Sequence, residues 1–116
     1  MGIAPDPDRQ REDALLRDLV EAPAITRRLY RRGGFDGLEP NTLQVLVALH
    51  RESDRTVKAL TEQLVLRQPT VSTALARLQA RGLVTEHADP GDGRRRRQHI
   101  TRRGRALVRR FLSSVD

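Results

Sequence analysis

The chain has 116 residues, about the size of one domain, and it contains no cysteine, which excludes disulfides, thiolate metal sites and thiol redox switches. Its net charge of +7 is unevenly placed, because nine arginines and no acid lie between Arg94 and Arg110. The rest of the chain carries 13 basic and 15 acidic residues, a net charge of −2. Localised positive charge favours a polyanionic partner such as nucleic acid, and the alternative is a solvated arginine-rich face without function.

The N-terminal third is predicted to be a short tail followed by helix. Residues 1–7 contain Pro5, Asp6 and Pro7 and are predicted to be disordered. From Asp8 to Arg32 apolar residues recur at three- and four-residue spacing, which predicts helix with a kink or a new start at Pro23. No apolar stretch approaches the roughly 18 residues of a membrane span, and residues 1–7 resemble neither a secretory signal nor a myristoylation site. We therefore expect a cytoplasmic protein without membrane contact.

The remaining elements change from helical to strand periodicity and back. Pro40 opens a helix that is apolar almost all round, and Thr56 can cap a short second helix. A third helix spans residues 68–81 and stops at Gly82. The predicted hairpin has strands at 83–87 and 96–100 around a turn at 89–93, and Thr101 caps the last helix. The predicted fold class is mainly α with a small β-hairpin (α+β).

The helix over residues 68–81 has two different faces. Its buried face is predicted to comprise Val71, Ala74, Leu75 and Leu78. The opposite face has small and hydroxyl side chains, an arginine and no acid, and its members are Thr70, Ser72, Thr73, Ala76, Arg77 and Ala80, with Gln68 and Pro69 at the N-terminal end. Such a face suits phosphates and base edges in a DNA major groove, and the alternative is an ordinary amphipathic helix with a small-residue surface.

The hairpin tip carries four consecutive arginines, Arg94, Arg95, Arg96 and Arg97. Because alternate side chains of a strand face opposite ways, these arginines cannot all have one role. One pair can follow phosphates, and one arginine near the tip can enter a narrow minor groove, where the negative potential is concentrated. Asp89 and Asp92 are expected to position arginines through bidentate pairs.

Two groups of residues resemble motifs of the MarR family of transcription regulators. The family's recognition helix is similar to Gln68-Pro69-Thr70-Val71-Ser72 with Leu75, Arg77-Leu78 and Gly82-Leu83-Val84. Its hairpin, called the wing, is similar to Asp89-Pro90-Gly91-Asp92 with Arg94, Ile100-Thr101 and Gly104. The resemblance extends over about residues 15–112. It implies a winged helix-turn-helix fold and a homodimer that regulates transcription, as a repressor or an activator, by binding a pseudo-palindromic operator in double-stranded DNA.

The resemblance also implies a division of the chain and a set of contact residues. Residues 8–116 would form one domain with a helical dimerisation segment at 8–38, a DNA-binding core at 39–100 including the wing at 83–100, and a C-terminal helix at 101–116. Such a protein would be cytoplasmic and associated with the nucleoid. The expected DNA-binding residues are Gln68, Pro69, Thr70, Ser72, Thr73, Arg77, Arg94, Arg95, Arg96 and Arg97.

Three departures from the family pattern limit what can be transferred. Gly93 stands where the family usually has a wing-tip arginine, Arg67 where a Ser or Asp cap is common, and Thr73 where arginine is frequent, so the operator sequence is not transferable. The chain ends at Asp116, before the longer C-terminal helical region of the family. Dimerisation would then depend on a seam of Leu15, Leu19, Leu29, Leu107, Phe111 and Val115, and the alternative for each of these residues is intramolecular packing.

Other chemistry is not indicated by the sequence. We find no catalytic arrangement, no cofactor motif and no metal-ligand spacing among His50, His87 and His99, although the last two are expected to face each other across the hairpin. A small-molecule effector would find a pocket among Leu15, Leu19, Tyr30, Leu43 and Leu46, or these residues form simple core. Two other functions stay open, a non-specific architectural nucleic-acid binder and a protein-interaction adaptor.

Overall fold

A computed structural model describes residue 10 and residues 33–114 of the chain. In chain order the elements are α1 (Pro40–Arg51), β1 (Arg55–Thr56), α2 (Val57–Leu64), α3 (Gln68–Ala80), β2 (Val84–Ala88), β3 (Arg96–Ile100) and α4 (Arg102–Ser114). The predicted class, mainly α with a small antiparallel sheet, is confirmed. The predicted tail and most of the predicted dimerisation segment lie outside the described residues, as do Leu15, Leu19, Leu29, Tyr30 and Val115.

Helix α1 is the centre of the core. It begins at Pro40, where the missing N–H costs nothing because the first turn has no intrahelical acceptor for it. Residues 42–49 are all buried, and the helix packs against α2, α3, α4 and β3. The buried hydrophobic core is aliphatic apart from Phe111, in keeping with a sequence that has no tryptophan, one tyrosine and two phenylalanines. Burial of each leucine or valine contributes roughly 1.5–3 kcal/mol.

Helices α2 and α3 are joined by a tight turn. Thr56 caps α2 as predicted, since its Oγ1 accepts a hydrogen bond of 3.1 Å from the backbone N–H of Ala59. The helix ends at Val65, which has a left-handed backbone (φ 54°) and an 84% exposed side chain. Arg67 then precedes α3 without a side-chain capping bond, which agrees with the missing Ser or Asp at this position.

The sheet has three strands, in the order β1-β3-β2. Strands β2 and β3 form the predicted antiparallel hairpin, with Val84 opposite Ile100 and Ala88 opposite Arg96. The third strand is a correction to the predicted hairpin. Arg55 and Thr56 pair antiparallel with Gln98 and Arg97, so the loop after α1 joins the sheet and β3 becomes its central strand.

Thr101 connects the hairpin to α4 and to the end of α3. Its Oγ1 accepts from the N–H of Gly104 at 3.0 Å, as predicted for a cap, and donates to the carbonyl oxygen of Gly82 at 2.8 Å. Its backbone N–H donates to the carbonyl oxygen of Leu83 at 3.0 Å. Gly104 is buried and packs closely against this junction. A Cβ at this position would overlap the Leu83 carbonyl oxygen and lie 2.8 Å from Cγ1 of Ile100.

Two residues of the predicted dimerisation seam belong to the core of this chain. Leu107 and Phe111 are each only 2% exposed, and the Phe111 ring packs edge-on against Phe35 with centroids 5.4 Å apart. The intramolecular alternative therefore accounts for the burial of both residues. Nearby, Asp36 accepts hydrogen bonds from Arg81 and Arg110, which ties the segment before α1 to α3 and α4.

Candidate nucleic-acid interface

Helix α3 has the two faces that its sequence predicts. Val71, Ala74, Leu75 and Leu78 are buried against the core. The opposite face is exposed and comprises Ser72, Thr73, Ala76, Arg77 and Ala80, with Gln68 and Pro69 exposed at the N-terminal end and Thr70 half-buried. We call these exposed residues the α3 outer face. It contains no acidic residue and no large apolar side chain, so another surface can approach the helix closely.

Arg77 on the α3 outer face is paired with a residue that sequence reasoning missed. Its Nη1 lies 2.8 Å from Oε2 of Glu39, which precedes α1, and both side chains stay more than half exposed. Glu39 and Arg77 both line two surface depressions of about 280 Å³ and 330 Å³, which also share Thr42. Nothing local in the sequence pairs these two residues, because only the packing of α1 against α3 brings them together.

The tip of the wing is shaped by two aspartates. Asp89 Oδ1 accepts from the N–H of Gly91 at 2.7 Å, and Asp92 Oδ1 accepts from the N–H of Arg94 at 3.0 Å. The Gly91 N–H is the largest influence on Asp89 and lowers the pKa of its carboxyl group; burial opposes this, and the nearby Arg97 guanidinium lowers it further. These side-chain bonds to the backbone hold the turn that presents the arginines.

The four arginines have two different environments. Arg94 is 93% exposed and lies 3.4 Å (Nε) from Asp92 Oδ1, while Arg95 and Arg96 are also exposed. Arg97 is only 34% exposed, because its Nε donates to Asp89 Oδ2 at 3.2 Å and its Nη1 donates to the carbonyl oxygen of Asp54 at 3.1 Å. The expected aspartate–arginine contacts are thus present, but each is a single contact rather than a bidentate pair.

The histidines take the positions that the hairpin predicts. The rings of His87 and His99 are in contact across the hairpin, edge to face with centroids 4.8 Å apart, although the two residues are diagonal rather than directly opposite in the register. His99 Nε2 lies 3.0 Å from Asp54 Oδ1. In residue 10 and residues 33–114, no group of three or more His, Cys, Asp or Glu side chains is arranged to hold a metal ion. Leu43 and Leu46, named as effector-pocket residues, are fully buried in the core.

A buried glutamine joins α3 to the wing. Gln98 on β3 has no exposed surface; its Oε1 accepts from Gln79 Nε2 on α3 at 2.9 Å, and its Nε2 donates to Glu86 Oε1 on β2 at 3.0 Å. The sequence contains no pattern that assigns this role, because the three residues meet only after the sheet packs against α3. We call this arrangement the Gln98 bridge.

A short helix, a turn, a second helix exposing one face, and an arginine-tipped hairpin packed against it define a winged helix-turn-helix protein. Residues 36–95, just over half of the chain, match the model of the MarR family, and the chain belongs to that family of transcriptional regulators, which are not enzymes. Both the family resemblance and the fold class are confirmed. Within the described residues, every helix is too short or too polar to span a bilayer.

Several solved structures are similar to this chain. They include a probable transcriptional regulator from Pseudomonas aeruginosa, at 27% identity and a TM-score of 0.65 over 85% of this chain and 76% of that one. PcaV, a transcriptional regulator from Streptomyces coelicolor, matches at 27% identity and a TM-score of 0.67 over 89% and 73%; PcaV with its natural ligand matches at 26% and 0.60 over 99% and 75%. The S. aureus MepR–DNA complex matches at 22% identity and a TM-score of 0.61 over 86% and 81%, which shows the shared fold. No protein of curated function matches the sequence significantly.

Proposed function

We propose that this protein is a sequence-specific regulator of transcription that binds a pseudo-palindromic operator in double-stranded DNA as a homodimer. In this proposal α3 enters the major groove and the arginine-rich wing lies along the flanking minor groove. The proposed mode of regulation is repression, because a protein bound to the operator can block transcription without any further activity. Residues 8–38 and 101–116 are proposed to form the dimer contacts, and residues 39–100 the DNA-binding core.

The α3 outer face is the observation that carries the proposal. The major groove is about 12 Å wide and admits one α-helix. Ala76 and Ala80 leave room for the backbone to approach, while Ser72 and Thr73 offer hydroxyl groups to base edges and phosphates. The opposite face is committed to the core, so only the outer face is available to DNA.

The wing supports the proposal through charge and shape. Arg94, Arg95 and Arg96 are exposed at the tip, while Arg97 is held by Asp89 and Asp54. A narrow minor groove attracts exposed arginines, and phosphates bind those beside it. We therefore assign the first three arginines to DNA contact and Arg97 chiefly to support of the wing.

The proposal includes a small-molecule effector, because a structurally similar protein is known with a bound ligand. PcaV is described in complex with its natural ligand, so we propose that a small molecule also modulates this chain. Leu43 and Leu46 are buried in the core, so we propose that other residues line its pocket.

Selection of bound sequences from random duplex DNA tests the function directly. An enriched sequence with two related half-sites, and a complex mass of two chains per duplex, are the expected results. Binding without an enriched sequence would favour the architectural alternative, and no binding at low salt would favour the adaptor alternative.

Salt titration separates the roles of wing and helix. The double variant R94A/R95A should flatten the plot of log affinity against log salt by about 0.9 per lost phosphate contact. The control R51A removes an exposed arginine at the end of α1, outside α3, the wing and the proposed dimer segments, and should leave the slope unchanged. Changes at Thr73 should instead alter the selected sequence, and a uniform loss on all sequences would contradict the helix assignment.

A further inference from the structure

The Gln98 bridge connects the two parts of the molecule that are proposed to contact DNA. We infer that Gln98 is a positioning residue that sets the orientation of the wing relative to α3 and thereby contributes to operator specificity. The inference rests on the proposed function. It names a residue that touches no DNA and acts through Gln79 on α3 and Glu86 on β2.

The pleat of the hairpin places Gln98 where such a role is possible. Gln98 and Glu86 are directly opposite each other in the β2–β3 register, so their side chains share one face of the sheet. On the same face, Val84 and Ile100 are opposite each other and lie in the core. The hairpin is therefore anchored by apolar packing at its base and by the Gln98 bridge one step closer to the tip.

The Gln98 bridge is a directional contact between the hairpin and α3, unlike the apolar packing beside it. Apolar burial is non-directional, and the hydrogen bond from Thr101 to the Gly82 carbonyl oxygen lies at the base of the hairpin, so neither directs the strands nearer the tip toward α3. A carboxamide has both an acceptor and donors, and here the acceptor faces Gln79 while a donor faces Glu86. Both bonds are made by a side chain with no exposed surface, so water does not substitute easily for either partner.

The orientation of the wing relative to α3 affects operator specificity. Sequence readout requires the α3 outer face and the wing tip to meet their grooves together, whereas phosphate contacts tolerate a shifted wing. Loosening the wing therefore weakens binding to the selected operator more than binding to random duplex DNA. Each bond of the bridge is expected to change the ratio of the two affinities roughly two- to tenfold.

Three substitutions dissect the bridge. Q98L removes both hydrogen bonds and replaces the carboxamide with an apolar side chain of similar size. Q79A and E86A remove one bond each from residues near the surface, so they retain the fold even if Q98L does not. E62A, at an exposed glutamate of α2, is the control for the lost negative charge of E86A.

The binding readout is the ratio of affinities for the selected operator and for random duplex DNA. We expect Q79A and E86A each to lower this ratio, and Q98L to lower it further. Q79A should have no additional effect in the Q98L background, because the bond it removes is already gone. Additive effects of Q79A and Q98L, or unchanged ratios for both Q79A and E86A, would overturn the inference.

A distance measurement tests the positioning without DNA. Since the chain has no cysteine, A76C on α3 and G93C at the wing tip accept one spin label each and nothing else is labelled. Double electron–electron resonance then gives the distribution of distances between α3 and the wing tip. The labelled chain is diluted in unlabelled chain so that distances between chains do not contribute. We expect Q79A and E86A to broaden it, and an unchanged distribution would overturn the inference. If the wild-type protein showed no sequence preference, the proposed function would fail, while this measurement would still decide whether the bridge holds the wing.

Discussion

Replacement of Gly104 by alanine tests the junction between α4 and the hairpin. A Cβ at this position would overlap the carbonyl oxygen of Leu83 and lie 2.8 Å from Cγ1 of Ile100. The Leu83 oxygen also accepts the N–H of Thr101, so moving it away weakens the hydrogen bond that seats the first turn of α4. Since the obstacle is backbone, side-chain rotation does not relieve the overlap.

The expected magnitude is the difference of two effects. Overpacking of a buried site costs typically 1–3 kcal/mol, and a backbone obstacle belongs at the upper end of that range. Alanine in a helix interior is favoured over glycine by about 1 kcal/mol. We therefore expect G104A to lower the free energy of unfolding by about 2 kcal/mol. For a domain of this size the midpoint of thermal unfolding should fall by roughly 8 °C.

Circular dichroism with urea and thermal denaturation measures the effect, and two variants calibrate it. G93A adds the same methyl group at the exposed wing tip, where a Cβ meets nothing within 4 Å, and should change stability by less than about 0.5 kcal/mol. A106G, on the exposed side of α4, measures the glycine penalty in the same helix. Equal or greater stability of G104A than wild type would refute the close packing of α4 against Leu83.

Three further predictions concern the turn, the wing and the α3 outer face. V65G should raise the free energy of unfolding by about 1 kcal/mol, measured by urea denaturation, because glycine removes the left-handed strain of an exposed valine; a loss of stability would contradict this. The pKa of Asp89 is lowered by the Gly91 N–H and by Arg97, so its charge stabilises the fold at neutral pH, and that contribution fades as pH falls below the ordinary value of 3.8. D89N should therefore have a lower free energy of unfolding than wild type at neutral pH, and that free energy should fall less as the pH is lowered. Urea denaturation at several pH values measures this, and parallel pH profiles for the two proteins would disprove it. E39Q should raise DNA affinity roughly two- to fivefold by releasing Arg77, measured by fluorescence anisotropy, and no gain over E62A would argue against competition by Glu39.

Elements with strong local signals were predictable from the sequence. Pro40 marks the first turn of α1, Gly82 follows the end of α3, and the turn-rich residues 89–93 separate two strands. Strand β3 and the Thr101 cap agree with the predicted positions. These features depend on backbone preferences of a few adjacent residues, and such preferences are visible in a linear sequence.

Features that depend on distant residues were not predictable in the same way. Strand β1 has two residues and exists because β3 pairs with it, so it leaves no periodic pattern. The Glu39–Arg77 pair and the Gln98 bridge also join distant parts of the chain. For Phe111, helical spacing indicated burial but left the partner open, and the structure shows that its own domain buries it.

Helix α3 uses different residues for packing against the core and for the surface that it exposes to a partner. The four residues that pack against the core and the residues of the outer face do not overlap. Substitutions on an exposed face usually change stability by less than about 0.5 kcal/mol, so side chains such as Ser72 and Thr73 are free to vary while the scaffold persists. Target preference can therefore drift during evolution, or be redirected by design, without compensating changes in the interior.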